Sequence, residues 1–282
     1  MLWLGIILLL SLAAYWAGER LHVPRGTLLV LVGILFGPQV LDLPLANGAE
    51  HFSLITLMAL AMVGFLLGER LYWKALRRGT SALVIGSVAT LVTTLVVSVT
   101  VWLATGDLAA ALILGAIAPA TAPVATLDVL HEAGAQGRLT RVLTQIVAID
   151  DVWTAVLFTL LLVAAEISLG ASVQLSEIAA GLLELGGAVL LGVLLGLPMA
   201  WLTGRLSQGE PSILEAAGFV FLAAGLASWL GLSYLLTCIV MGAVVANVAK
   251  HHVRPFRSIK GIADPFMFVF FFLAGFQLEL SA

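Results

Sequence analysis

Two short motifs hold the groups that could do chemistry, and each lies in the middle of a long apolar segment. One is the adjacent carboxylate pair Asp150 and Asp151. The other is an alanine-rich run with two prolines, comprising Pro119, Ala120, Thr121, Ala122 and Pro123. Carboxylates are costly to bury in apolar surroundings, and at such depth they usually mark a path for ions or protons. The two motifs together predict an ion-binding site.

The proline run predicts a helix that breaks and exposes oxygen atoms. Pro119 and Pro123 have no amide hydrogen, so they free backbone carbonyls one turn earlier in the helix. Inside a membrane such a break is tolerated only where protein or a water-filled cavity surrounds it. The freed carbonyls and the Thr121 hydroxyl are hard oxygen donors suited to a sodium or potassium ion, and the start of the second half-helix would offset a nearby carboxylate. The alternative is a simple kink in which Thr121 bonds back to its own helix.

The carboxylate pair predicts competition between a proton and a cation. Neighbouring residues on a helix point about 100° apart, so one acid can face a cavity while the other faces a neighbouring helix. A buried carboxylate that holds either a proton or a metal cation, exposed alternately to each side of the membrane, is the core of an antiporter. The alternative is a structural pair satisfied by buried polar partners such as Thr144, Gln145 or Thr154.

The composition places both motifs in a membrane protein. The chain has 282 residues, of which 61% are hydrophobic and 10% charged, and its mean hydropathy is +1.13. Ordinary soluble domains are far less apolar, and no large basic region is present to bind nucleic acid. We therefore expect an all-α polytopic membrane protein surrounded by lipids. The single cysteine, Cys238, excludes an intrachain disulfide.

The hydropathy pattern predicts about ten transmembrane helices, one of them broken by proline. The connections are short, so neighbouring helices run antiparallel. A turn at 231–233 divides the uncharged stretch that follows Glu215 into two spans. The predicted helices cover residues 2–18, 26–41, 52–68, 80–105, 108–131, 139–165, 178–203, 212–230, 233–249 and 264–279.

Positive charge alternates along this map. All 13 Lys and Arg residues follow odd-numbered predicted helices, and the even-numbered connections have none. The positive-inside rule then makes the odd-numbered connections cytoplasmic and the N-terminus external. We expect a multi-pass protein of the plasma (inner) membrane with this orientation.

Two pairs of glycines are spaced for close helix packing. Gly33 and Gly37 form one G-x-x-x-G pair, and Gly192 and Gly196 form another. This spacing lets two helix backbones approach closely. In a glycine-rich membrane chain, we interpret both pairs as sites of packing within the chain rather than as a dimer interface.

Several stretches together resemble a known family. They span residues 32–38, 61–69, 115–134, 148–152, 230–247 and 265–278. The resemblance is to the monovalent cation/proton antiporter superfamily, the sodium/proton and potassium/proton antiporters, and the Asp-Asp pair is its most specific part. It implies an inverted-repeat fold, a homodimer, no cofactor and no enzymatic activity. It also implies that Asp151 binds the ion or proton and that Asp150 is its companion.

The resemblance also implies a division of the chain. Residues 1–79 would belong to the dimerisation or scaffold region, and 80–165 would form the first core repeat with its broken helix and Asp-Asp helix. Residues 166–282 would be connecting and scaffold helices. No second proline-broken helix follows residue 230, so we expect the last three helices of the family, with the second core repeat, to be absent. A second chain could supply them.

The function that we expect is exchange of a monovalent cation for protons by alternating access. The alternatives are a non-transporting half-transporter that needs a second chain and a sodium-coupled symporter. An intramembrane aspartyl protease is a different class, but it needs two acids that face each other from different helices. Adjacent acids on one helix diverge, which argues against that enzyme.

Overall fold

The computed structural model describes residues 2–21, 25–38, 40, 49–73, 80–122, 125–126, 129–130, 133–169, 175–203, 212–251 and 253–278. Within these ranges the regular structure is entirely helical. The α-helices are α1 Leu2–Leu21, α2 Arg25–Phe36, α3 Ala49–Gly68, α4 Thr80–Thr105, α5 Leu108–Ile117, α6 Arg138–Ser168, α7 Leu175–Thr203, α8 Ser212–Trp229, α9 Tyr234–Val248 and α10 Val253–Phe276. A short 3-10 helix, Glu69–Leu71, follows α3. The predicted all-α architecture is confirmed, and each predicted helix has a counterpart.

The helices are apolar, as a membrane fold requires. Four in the described part of the chain are long and apolar enough to cross a membrane, namely Ala82–Thr105, Arg138–Ser168, Leu183–Thr203 and Val253–Phe276. The six other α-helices contain shorter apolar segments of 10–17 residues. At 1.5 Å per residue these shorter segments cover about half or more of a hydrocarbon core roughly 30 Å thick.

Helix α5 breaks where the prolines predicted. It begins at a cap in which the Asp107 carboxylate accepts a hydrogen bond from the amide of Ala110, at 3.1 Å. It ends at Ile117, because Pro119 has no amide hydrogen to continue the ladder. Residues 118–122 are not helical, and helical bonding resumes when the carbonyl of Ala122 accepts from the amide of Thr126, at 3.0 Å.

Helix α10 begins at Val253, so the predicted start at 264 is wrong. The prediction placed Arg254, Arg257 and Lys260 in a connection because they are charged. Their spacing of three residues keeps them near one side of a helix, while Phe256 and Ile259 are buried on the other side. Phe256 also stacks on Phe65 of α3, with ring centroids 4.5 Å apart, so apolar packing extends the helix through the basic segment.

Glycines bring two pairs of helices into backbone contact. A Cβ atom on Gly68 of α3 would lie 2.7 Å from the Cα of Gly242 on α9, and one on Gly242 would overlap the carbonyl of Phe65. A Cβ atom on Gly33 of α2 would lie 3.1 Å from the Cα of Gly275 on α10. Small residues are what allow membrane helices to approach this closely.

Both predicted G-x-x-x-G pairs pack within the chain. Gly33 and Gly37 lie against the backbone of α10. A Cβ atom on Gly192 or Gly196 would lie 2.8 Å from the Cβ of Val240 or Val244 of α9, respectively. The interpretation of these pairs as intrachain contacts is confirmed.

Helices α4, α5 and α6 form the group that positions the predicted site. The chain reverses after α4 at Gly106, whose φ is +71°, and again before α6 near Gly134 and Gly137, whose φ values are +56° and +122°. These positive φ values favour glycine. After two reversals α4 and α6 run in the same direction, with α5 and the break between them in sequence.

Candidate functional site

Asp150 lies buried between α4 and α6. Its side chain is 5% exposed, and its Oδ1 accepts a hydrogen bond of 2.7 Å from the hydroxyl of Thr90, which is 1% exposed. The close approach depends on Gly86, because a Cβ atom there would lie only 3.3 Å from Cγ2 of Ile149. A second bond joins the same helices, since the indole of Trp153 donates to the hydroxyl of Ser87 at 2.9 Å. The structure therefore fixes one of the two predicted acids against α4.

The Thr90 hydroxyl faces two acceptors. Its oxygen lies 2.7 Å from Oδ1 of Asp150 and 2.9 Å from the carbonyl oxygen of Gly86. A hydroxyl has one proton to donate and can also accept. When Asp150 is charged, Thr90 can donate to the carboxylate. When Asp150 is protonated, the carboxyl can donate to Thr90, which then donates to the Gly86 carbonyl. The contact is thus satisfied in both states.

The proline break contributes a buried hydroxyl that its own helix does not use. Pro119 is buried, and the Oγ1 atom of Thr121 is buried with no hydrogen-bond partner among the described residues. The simple kink with Thr121 bonded back to its own helix is therefore not what the structure shows. Ala120 and Ala122 belong to the non-helical stretch, and Pro123 lies outside the described residues.

The contact between α4 and α5 shows where the break leads. A Cβ atom on Gly115 of α5 would overlap the hydroxyl of Ser98 and lie 2.9 Å from the carbonyl of Thr94. Helices α4 and α5 are antiparallel, so the chain beyond Gly115 continues alongside α4 in the direction of Thr90. Thr90 lies about 6 Å from Thr94 along the axis of α4. The break that holds Thr121 is thus directed toward the Thr90–Asp150 contact.

Asp151 follows Asp150 in the same helix, but its side chain lies outside the described residues. Its role as the ion-binding carboxylate stays a prediction. Thr90, the partner found for Asp150, is not among the polar partners predicted for the acid pair. Thr144 donates to carbonyls of its own helix, at 3.0 Å to Thr140 and 3.1 Å to Arg141, and the Thr154 hydroxyl has no partner among the described residues.

Sequence reasoning missed Thr90. The sequence does place Gly86 and Thr90 four residues apart, so a position without a side chain and a hydroxyl share one face of α4. Such spacing allows a second helix to approach and to present a polar group there. It does not say which helix approaches, so the pairing with Asp150 needed the structure.

A second buried contact of the same kind lies between α7 and α8. The Thr203 hydroxyl, 2% exposed as a residue, donates to Oε1 of Glu215 at 2.6 Å and lies 2.9 Å from the carbonyl of Met199. Glu215 lies in the first turn of α8, where an acid suits the helix dipole. The structure adds that this acid ties α8 to the end of α7.

A broken helix packed on the helix that carries a buried carboxylate, in an apolar all-helical fold, is typical of membrane proteins for ion transport. The sequence profile described as "Sodium/hydrogen exchanger, transmembrane" matches residues 6–282, so the chain belongs to the sodium/hydrogen exchanger family. The predicted resemblance to cation/proton antiporters is confirmed.

A solved structure has a similar fold. It is that of the sodium proton antiporter MjNhaP1 from Methanocaldococcus jannaschii at pH 8. The similarity has a TM-score of 0.72 and 22% sequence identity, and it covers 99% of this chain and 70% of that chain. No curated protein sequence matches the chain.

Proposed function

We propose that the protein exchanges a monovalent cation, Na⁺ or K⁺, for protons by alternating access, with Asp151 binding cation and proton in competition. The observation that carries the proposal is the buried carboxylate of Asp150, which Thr90 can accommodate with or without a proton. Because the chain belongs to the sodium/hydrogen exchanger family, we assign this chemistry to cation/proton exchange. The resulting transporter needs no cofactor, because the cation and the proton are its substrates.

The charge balance of the site favours competition. A single negative carboxylate in apolar surroundings needs one compensating positive charge, which either a proton or a monovalent cation supplies. Once a proton or a cation is bound, the carboxylate is neutralised and no longer attracts the other ion. Thr90 supports this exchange because its hydroxyl donates to the charged Asp150 and accepts from the protonated one.

The proline break would supply the remaining cation ligands. Carbonyls of residues 118–122 and the buried Thr121 hydroxyl are hard oxygen donors that can replace the water shell of an alkali cation. In this proposal Asp151 contributes the carboxylate, Asp150 is its companion held by Thr90, and Thr121 with the backbone from Pro119 to Pro123 completes the shell.

The rest of the chain would hold this site in the membrane. We assign residues 80–165 to the first core repeat, 1–79 to the dimerisation or scaffold region and 166–282 to connecting and scaffold helices. The functional unit in this proposal is a homodimer in the plasma (inner) membrane. Its Lys- and Arg-bearing connections face the cytoplasm, as the charge alternation predicts.

The test is proton flux in proteoliposomes of the purified chain. Liposomes with an internal pH-sensitive dye and an imposed pH gradient receive pulses of sodium, potassium or lithium, beside empty liposomes. We expect one or more cations to trigger proton movement in protein-containing vesicles alone, and the order of response names the cation. Absence of cation-triggered flux from correctly inserted protein would overturn the proposal.

A further inference from the structure

Several hydroxyl groups on the helices of this protein lie against their own backbone. Serine and threonine inside a helix usually donate back to the carbonyl four residues earlier, which satisfies the hydroxyl without help from another helix. Seven described side chains have the hydroxyl oxygen within 3.0 Å of that carbonyl oxygen, namely Ser11, Thr90, Thr100, Thr105, Thr144, Thr203 and Thr237. A buried hydroxyl that lacks this contact has no partner in its own helix.

Among the described helical residues, two threonines have a buried hydroxyl that lacks this contact. The Oγ1 atoms of Thr94 on α4 and Thr154 on α6 are buried, with no hydrogen-bond partner among the described residues. Thr94 is 8% exposed as a residue, so water is not a ready substitute. Burying an unpaired hydroxyl is unfavourable. Since neither oxygen is bonded to its own helix, both are available to a ligand.

Their positions relate them to the carboxylate site. Thr94 is one turn beyond Thr90 on α4, and Thr154 is one turn beyond Asp150 on α6. The Thr90–Asp150 bond ties the two helices together at the start of these turns. Since α4 and α6 run in the same direction, both unpaired hydroxyls lie about 6 Å further along, on the side of the Gly106 reversal.

We propose that Thr94 and Thr154 are oxygen ligands on the path of the transported cation, one helical turn from Asp150 toward the Gly106 reversal. This inference rests on the proposed exchange function and adds two specificity-determining residues to it. The two hydroxyls are neutral and the nearest described carboxylate is Asp150, so the arrangement suits a cation with one positive charge. Each hydroxyl would replace one water of the cation's hydration shell as the cation approaches the carboxylate.

The test compares variants that remove each hydroxyl with variants that keep it. Thr94→Val and Thr154→Val exchange the hydroxyl for a methyl group, and Thr94→Ser and Thr154→Ser keep the hydroxyl. Thr100→Val is the matched control, because the Thr100 hydroxyl is exposed and bonds its own helix at Val96. Each protein is purified, checked for correct insertion and assayed for cation-triggered proton flux over a range of cation concentrations.

We expect each valine variant to raise the apparent KM for the cation by about tenfold, the usual size of one lost polar contact to a charged group. The maximal rate should change less, the serine variants should restore the KM, and Thr100→Val should match the wild type. A second readout is the rise in melting temperature that the cation causes in detergent, because a ligand that binds the folded state stabilises it. This rise should shrink in the valine variants.

An unchanged KM and an unchanged cation-dependent melting shift in both valine variants would overturn the inference. Cation-triggered proton flux by the wild-type protein in the same assay would leave the proposed function intact. If the wild type shows no exchange, the proposed function fails, and the melting shifts alone decide whether Thr94 and Thr154 bind the cation. If one valine variant does not insert, the other position and the serine variants decide.

Discussion

Thr90 on α4 bonds Asp150 on α6 through one hydroxyl, at 2.7 Å, while the Gly86 carbonyl lies 2.9 Å from the same oxygen. The proton of that hydroxyl can point to either acceptor by rotating about one bond. A carboxyl group can therefore gain or lose a proton at this place without a shift of the helix backbone. Removing the hydroxyl would leave the charged form of Asp150 without the donor that the structure provides.

The first prediction concerns Thr90. Thr90→Val should slow cation-triggered exchange by about tenfold or more, because the buried carboxylate loses a hydrogen bond to a charged group. Thr90→Ser keeps the hydroxyl and should retain most of the rate. The measurement is initial proton flux in proteoliposomes at saturating cation. Equal rates for the valine and serine variants would show that the hydroxyl of Thr90 has no part in exchange.

The second prediction concerns Asp151. Asp151→Asn should abolish both cation binding and pH-dependent exchange, since the amide cannot carry the charge for which proton and cation compete. The protein should remain folded and inserted. Glu166→Gln is the matched control, because it makes the same chemical change near the end of the same helix. If exchange survives Asp151→Asn, the assignment of Asp151 as the binding carboxylate is wrong.

The third prediction concerns the packing of α4 on α5. Gly115→Ala should lower the free energy of unfolding by about 1–3 kcal/mol, because its new methyl group meets the Ser98 side chain and the Thr94 carbonyl. Gly218→Ala on α8 makes the same change where nothing lies within 4 Å, and it should be neutral or stabilising. Thermal unfolding in detergent measures both. Similar melting temperatures for the two variants would contradict the close α4–α5 contact.

The fourth prediction concerns the contact between α7 and α8. Thr203→Val should destabilise the protein by about 1–3 kcal/mol, because it removes the hydroxyl that donates to the Glu215 carboxylate. The hydroxyl of Thr237 is bonded to the carbonyl of Ser233, so Thr237→Val should cost less. Exchange per inserted molecule should persist in both variants, since neither residue lies on α4, α5 or α6. A loss of exchange in folded Thr203→Val protein would place Glu215 in the transport machinery.

The sequence predicted the features that are rare in an apolar chain. Prolines and paired acids inside membrane segments are costly, so their presence alone pointed to the break at Pro119 and to Asp150. Thr90 could not be predicted in the same way, because a threonine in a helix is common and usually bonds its own backbone. Its pairing depends on which helix passes Gly86, and that is a property of the tertiary fold.

The start of α10 also could not be predicted from the sequence alone. Hydropathy located its apolar half but stopped at the basic residues, because charge was taken to mark a connection. The helix continues through Arg257 because the Phe256 side chain packs on Phe65, and only tertiary contacts reveal that. Local patterns therefore identified the candidate groups for ion binding, while their partners and the helix ends depended on packing.

The backbone contact of Gly68 with Gly242 also sets a limit on motion. The two helix backbones lie so close that a Cβ atom at Gly68 or at Gly242 would meet the backbone of the other helix. We therefore expect α3 and α9 to move together, and we expect the displacement in the proposed exchange cycle to occur at other helix boundaries.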